Sequence, residues 1–319
     1  MNIDSIISKL KQDSTNIQEF SKKFRIENNF LNAELIKEKI KICGVDGGFV
    51  SKQISSSALI IRRAIATCFE YTGTYLEKAE YFPSKRVEPE IIFEPVEHDE
   101  FLIFSNLKRV EMEINIAISA VEKFNPDVLI LDGSIVIHPT SIPARDSKYH
   151  SLFLEVSTKI RELYKLCLEK NVQLIGAVED SHGRRFVNNG FMNDSNVLYH
   201  VLKEGEYIEP KRYSDNIDLP SLSELGEYSE QVNITYLKVG KYDKPLRIDF
   251  FGSNVEKVAS VMYTYSRITS DYSYPTVLIE SDSRAKLTDL ELKMVYGIIK
   301  DKLGINPLIF ELRRDKRAI

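Results

Sequence analysis

The order in which apolar segments alternate between residues 41 and 178 leaves few folds open to this chain. Lys41–Val50 (KICGVDGGFV) is a short apolar stretch that ends in glycines. Ser57–Phe69 and Gly73–Phe82 follow, both enriched in β-branched and aromatic residues. Successive strands with such short connections favour antiparallel hairpins. Beyond a Pro- and Glu-rich loop over 83–100, Leu107, Val110, Ile114, Ala117, Ile118 and Val121 form one stripe of a long helix. That helix must stop before Asn125-Pro126. Asp127–Ile137 (DVLILDGSIVI) is a nearly continuous apolar run, the pattern of a strand covered on both faces. A second amphipathic helix over about 147–170 and a strand at Val172–Val178 complete the series.

The series reads β-β-β-α-β-α-β. Three antiparallel strands followed by parallel crossovers is the ribonuclease H-like arrangement of an α/β protein, and few other folds share it. Ahead of it, Ile6, Ile7, Leu10, Phe20, Phe24, Leu31, Leu35 and Ile36 recur at roughly helical spacing. The chain is therefore expected to divide into an N-terminal helical segment (1–40) and a ribonuclease H-like domain (41–319). A polar, tyrosine-rich insertion occupies about 204–245 of that domain. Leu246–Phe251 and Thr276–Glu280 read as strands, with a helix near Val255–Arg267 between them. A final helix starts at Thr288, whose spacing to Glu291 is that of a capping box. The charged tail Glu311–Ile319 is expected to fray.

With 319 residues, 43% of them hydrophobic, the chain can bury a sizeable core. Cys43, Cys68 and Cys167 sit singly in apolar segments, without zinc-site spacing, and an odd count opposes a disulfide framework. No apolar run has spanning length and no signal peptide is visible, so a cytoplasmic protein without a membrane segment is expected. A net charge of −4 does not mark a nucleic-acid binder. Contact with phosphates would have to come from local basic patches.

Charges in the wrong places direct attention to chemistry. Asp46, in Gly44-Val45-Asp46-Gly47-Gly48, terminates the apolar part of the first strand, and Asp132, in Leu131-Asp132-Gly133-Ser134, does the same in the fourth. An ionised carboxylate there costs several kcal/mol of desolvation, about the amount a cation must offset. Taken singly, each is equally explained as a turn residue, since Asp-Gly is a hairpin signal. In a ribonuclease H-like sheet, however, the first and fourth strands are neighbours, and a divalent metal is the natural compensator. The helix between them carries Glu111 and Glu113, which point in different directions, so only one can join the pair. Periodicity does not choose between them. Asp282, in Leu278-Ile279-Glu280-Ser281-Asp282, is a fourth candidate from a late element, though a turn cap is an equal reading. After the fifth strand, Glu179-Asp180-Ser181-His182-Gly183-Arg184-Arg185 gathers acids, a hydroxyl, an imidazole and two guanidiniums. Arg184 and Arg185 suit phosphate oxygens. His98, His138, His150 and His200 are scattered, without ligand spacing.

These segments resemble the NurA family, nucleases that process DNA ends with the hexameric HerA translocase. The matching blocks are Val45-Asp46-Gly47-Gly48, the helix around Arg109–Glu113, Leu131-Asp132-Gly133-Ser134, Gly176–Ser181, and Tyr274-Pro275 through Leu278, Glu280, Asp282 and Ala285. They run in family order from about residue 42 to 290. The resemblance implies that Asp46 and Asp132 hold metals and favours Glu113, nineteen positions before Asp132, over Glu111. It also places Tyr274 near the site and Asp282, eight positions on, in the late metal-site position. Two departures stand out. Family members often carry histidine where Asp282 stands, which bears on metal preference, and lysine where Glu179 stands, which bears on the role of that loop.

The function implied is a divalent-metal-dependent DNA nuclease hydrolysing phosphodiesters with two ions. Asp46 would bridge both ions, and Asp132, Glu113 and Asp282 would complete the shells. Oxygen-rich ligation suits Mn²⁺ or Mg²⁺ rather than zinc. Ser181, Arg184, Arg185 and Tyr274 would position the strand. The resemblance further implies 5′→3′ exonuclease and single-strand endonuclease activity in end resection and double-strand break repair, a homodimer, and a HerA-like hexameric ATPase as partner. Two other readings compete. An actin-like or sugar-kinase-type ATPase would keep the fold but needs a second Gly-rich phosphate loop and a duplicated domain, and neither is visible. A non-catalytic adaptor of a DNA translocase would have no need of all four acids.

Overall fold

The chain opens with helix α1 (Ile3–Glu27) and a short strand, β1 (Phe30–Asn32), in a computed structural model that describes residues 3–54, 56–187, 192–215 and 219–303. The tail expected to fray, Glu311–Ile319, lies outside the described residues. Two sixteen-residue strands, β2 (Lys39–Ile54) and β3 (Ser57–Thr72), form a long hairpin. After it come β4 (Tyr75–Phe82) and β5 (Glu90–Pro95), the latter inside the stretch expected as loop. Helix α2 (Phe101–Phe124), strand β6 (Val128–Asp132), helix α3 (His150–Glu169) and strand β7 (Gln173–Val178) make the two crossovers. The remainder comprises α4 (Asp194–Val201), β8 (Glu206–Ile208), β9 (Lys211–Arg212), α5 (Pro220–Ser223), β10 (Val232–Leu237) and β11 (Leu246–Phe251). Helices α6 (Val255–Tyr265), α7 (Thr276–Ala285) and α8 (Asp289–Leu303) close the described chain.

All the strands join one eleven-stranded sheet in the order β1-β8-β10-β11-β7-β6-β2-β3-β4, with β5 beside β3 and β9 beside β10. The β4-β3-β2 meander is antiparallel, and β2-β6-β7 is parallel. This is the ribonuclease H-like order. It follows from β6 and β7, whose mostly buried segments VLILD and QLIGAV can only lie in the middle of a covered sheet. Residues 204–245 supply β8, β9 and β10, which extend the same sheet through antiparallel pairing with β11.

Alternation along the strands buries apolar residues on both faces of the sheet. Cys43, Val45, Leu129, Leu131 and Leu174 pack under α2 and α3 with Leu107, Ile114, Val121 and Phe153. Ile42, Ile130, Ile175 and Ala177 pack on the other face with Val258, Met262, Tyr274, Val277 and Leu278 of the α6–α7 region. At the N-terminus Phe24 is buried, Ser21 donates to the Val197 carbonyl, and Arg25 binds Glu206 through two bonds of 2.6 and 2.9 Å. The capping box forms: Thr288 N donates to Glu291 Oε2 at 2.7 Å.

One expected strand is a helix. Thr276–Glu280 begins α7, and its buried residues Val277, Leu278, Ser281 and Ala285 share one helical face. Gly44 and Gly48 of β2 make the docking possible. A Cβ on Gly44 would stand 2.7 Å from Val277 Cγ1, and one on Gly48 would stand 2.0 Å from the Ala285 carbonyl oxygen. The run Asp127–Ile137 also stops short as a strand, since pairing ends at Asp132 and Gly133 turns the chain with φ +89°. Among the described residues no helix is long and apolar enough to cross a membrane.

Candidate active site

The acids meet where β6 stops. The parallel pairing of β2 with β6 runs only to Val45↔Leu131, while β2 continues to Ile54. Asp46 and Asp132 are each the next residue, and alternation puts both on the face of Ile42, Ile130 and α7. Asp46 is buried, and one oxygen, Oδ1, accepts from Gly47 N at 2.7 Å. Glu113 comes from α2, on the opposite face, through the gap left beyond the end of β6. Gly47 lets it in, because a Cβ there would lie 2.6 Å from the Glu113 side chain. Tyr274 closes the far side. Its hydroxyl donates to Asp132 Oδ1 and lies 3.1 Å from the Ala177 carbonyl.

Three carboxyls in one desolvated corner cannot all ionise freely. Burial first, then the charges of Asp132 and Glu113, push Asp46 up to about 8, and its carboxyl hydrogen-bonds that of Asp132. Glu113 is pushed up to about 7 by burial, although Arg109 pulls the other way from an ion pair of 2.5 Å. Tyr274 is held well above its usual range by burial and by the Asp132 charge. Among the described residues, no group of three or more His, Cys, Asp or Glu side chains is spaced to hold a metal ion. The compensation present comes instead from Arg109, Tyr274 and retained protons. The donor set itself, the buried carboxyl of Asp46 with the half-buried carboxyls of Asp132 and Glu113, is of the oxygen-rich kind that suits a hard divalent cation.

Glu111, two residues away, has the opposite surroundings. Arg62 at 3.2 Å and Lys108 and Lys159 at 3.5 Å outweigh its burial and hold it below the usual carboxylate range. Of the two helical glutamates, only Glu113 faces the aspartates. Asp282 is exposed on the outer side of α7, and among the described residues no hydrogen bond or ion pair joins it to the cluster. Its charge acts on the Tyr272 hydroxyl. The strand-binding candidates differ in their surroundings. Ser181 is buried, and its hydroxyl bonds Tyr236 Oη at 2.9 Å. Arg185 stacks over Tyr213 at 4.4 Å and donates to the Tyr213 carbonyl at 2.8 Å. Both side chains are tied inward because Asp194, fully buried, caps the backbone N–H groups of Arg185, Phe186 and Val187 and folds that loop over it. Arg184 is the exposed member of the three.

A cleft of about 520 Å³ borders the cluster, and Arg109, Glu113, Asp132, His182, Gly183 and Arg247 are among the residues that line it. The partnership of Arg109 with Glu113 was not anticipated, although its i, i+4 spacing on α2 was readable. Arg247 and Asp249 carry no comparable local signal.

The family model described as the NurA domain matches residues 40–287. No curated protein sequence matches. The chain is similar to the crystal structure of the NurA nuclease from Sulfolobus solfataricus, with a TM-score of 0.65 at 15% identity over 95% of this chain and 98% of that one. A second NurA crystal structure gives 0.64 at 11% identity over 96% and 98%. A NurA structure bound to dAMP and manganese gives 0.55 at 10% identity over 87% and 92%. At these identities the structural likeness is one of fold.

Proposed function

The chain belongs to the NurA family, and on that premise we propose that it is a divalent-metal-dependent deoxyribonuclease. The observation that carries this reading is the convergence of Asp46, Asp132 and Glu113 from two strands and a helix on one buried corner beside a cleft. Asp46, Asp132 and Glu113 would hold Mn²⁺ or Mg²⁺, with Asp282 as a fourth ligand from the rim of α7. The ions, two in this reading, would supply a water of lowered pKa and charge stabilisation at the leaving 3′ oxygen. The NurA structure that contains dAMP and manganese supports this choice of ligand class.

The chain's own groups have distinct tasks. Asp46, protonated at neutral pH in the metal-free protein, would hold a cation beside Asp132 as the ionised carboxylate. Glu113, balanced by Arg109, brings charge from the other face of the sheet. Tyr274 orients Asp132 through its hydroxyl, which makes it a positioning residue. Arg184 is exposed beside the cleft and suits backbone phosphates. Family membership supports, as further parts of the proposal, 5′→3′ exonuclease and single-strand endonuclease activity in end resection and break repair. It likewise supports a homodimer and a HerA-like hexameric ATPase as partner.

Purified protein mixed with end-labelled single-stranded DNA and Mn²⁺ tests the reading, beside an Asp46→Ala variant. The wild type is expected to degrade the strand at least about a hundredfold faster than the variant. Equal rates would refute it.

A further inference from the structure

A second buried charge borders the cleft. Arg247 and Asp249 lie two positions apart on β11, so both side chains stand on the face covered by α2 and α3. Asp249 is fully buried and grips Arg247 at two points, Nε to Oδ1 at 2.9 Å and Nη2 to Oδ2 at 3.0 Å. Nη2 also donates to Tyr213 Oη at 3.2 Å. Ser134 donates to Asp249 Oδ2 at 2.6 Å, which ties the pair to the turn that leaves Asp132. The same aspartate thus fixes the guanidinium and the loop of a cluster carboxylate.

The remaining donor, Nη1, is accessible and is not among the buried side-chain atoms that lack a partner. Among the described residues it has no hydrogen-bond acceptor, and it lies beside Gly183, where a Cβ would stand 3.4 Å from it. Arg247 and Gly183 both line the cleft that contains Glu113 and Asp132. A planar cation locked by two bonds and presenting its remaining donor to a cleft is preorganised for an oxyanion.

We propose that Arg247 binds the substrate strand, its Nη1 donating to a non-bridging phosphate oxygen, and that Asp249 is its positioning residue. This rests on the nuclease reading, which places a DNA strand in the cleft. Asp249 already balances the guanidinium, so the contact adds a directed bond rather than a free charge. Its loss should appear in affinity rather than mainly in salt dependence.

Anisotropy of a fluorescein-labelled oligothymidylate in EDTA measures binding by the full chain without cleavage. The double variant R247Q/D249N removes both charges and leaves no uncompensated carboxylate. It is expected to melt cooperatively and to bind roughly tenfold more weakly, the loss of one charge-assisted bond, with R247K intermediate. If the folded double variant binds as tightly as wild type, the pair is structural and the proposal is overturned, while the nuclease reading stands. If the double variant does not fold, R247K alone decides, since it keeps the charge beside Asp249 and removes the fixed Nη1 donor, and binding as tight as wild type overturns the proposal. A wild type that neither binds nor cuts DNA would instead defeat the nuclease reading, and this inference with it.

Discussion

Asp46 and its neighbours set a pH dependence that can be measured without substrate. The folded protein holds a proton on Asp46 up to about pH 8, whereas the unfolded aspartate loses its own near the ordinary value of 3.8. Between those values the folded state binds more protons than the unfolded state, so stability falls as pH rises. Glu113, pushed up to about 7, adds to the same slope. In metal-free protein the melting temperature is therefore expected to fall from pH 5 to pH 8. Asp46→Asn should flatten that fall and stabilise the protein at pH 8 by roughly 1 kcal/mol or more. Thermal melts at several pH values check this, and a wild-type curve parallel to that of the variant would contradict it. Mn²⁺ should raise the wild-type melting temperature more at pH 8 than at pH 5, since the ligands must be deprotonated to bind it. Asp46 and Asp132 were legible in the sequence as a pair, because two charges ending apolar runs on strands expected to be neighbours are poorly explained as two separate turns. The choice between Glu111 and Glu113 was not legible from pattern. Both flank the apolar stripe of α2, and what separates them is the three cations around Glu111, two of which come from β3 and α3.

At the level of elements, the glycines of β2 divide into two kinds. Gly48 faces the backbone of α7, and a methyl there would overlap the Ala285 carbonyl, which cannot move without shifting the helix. Gly48→Ala is expected to cost about 1–3 kcal/mol of stability, read by denaturant unfolding. Gly47 faces the flexible end of Glu113. Gly47→Ala should leave stability nearly intact but displace that carboxylate, weakening Mn²⁺ binding about tenfold or more by calorimetry. Equal effects of the two substitutions on stability would contradict this division. The same contacts explain why α7 was misread. Thr276-Val277-Leu278-Ile279 has the β-branched character of a strand, and only its docking on Gly44 and Gly48, more than 200 residues earlier, makes the helix the better solution. By contrast α2, β6, α3 and β7 were readable because burial on a regular period is a local signal.

For the molecule as a whole, the sheet separates support from chemistry. The α1–β1 segment is fastened at one edge by Arg25 on Glu206 of β8, and the acid cluster lies on β2 and β6, with β10, β11 and β7 between. Arg25→Ala is expected to lower stability by about 1 kcal/mol, since the arginine is partly exposed, and to leave the cleavage rate unchanged. A matching loss of rate would show that the edge is coupled to the site. That β8 and β10 extend the main sheet was not legible in a polar, tyrosine-rich stretch expected as an insertion of loops and short strands, whereas β11 was read as a strand. Strand β11 is also what brings Arg247 and Asp249 beneath the cleft. A metal centre at Asp46 is tested most directly in crystals soaked in Mn²⁺. An anomalous difference map at the manganese edge is predicted to show density bound by Asp46, Asp132 and Glu113, and absent from Asp46→Asn crystals. A map with no peak between these carboxylates, or one unchanged in the variant, would contradict it.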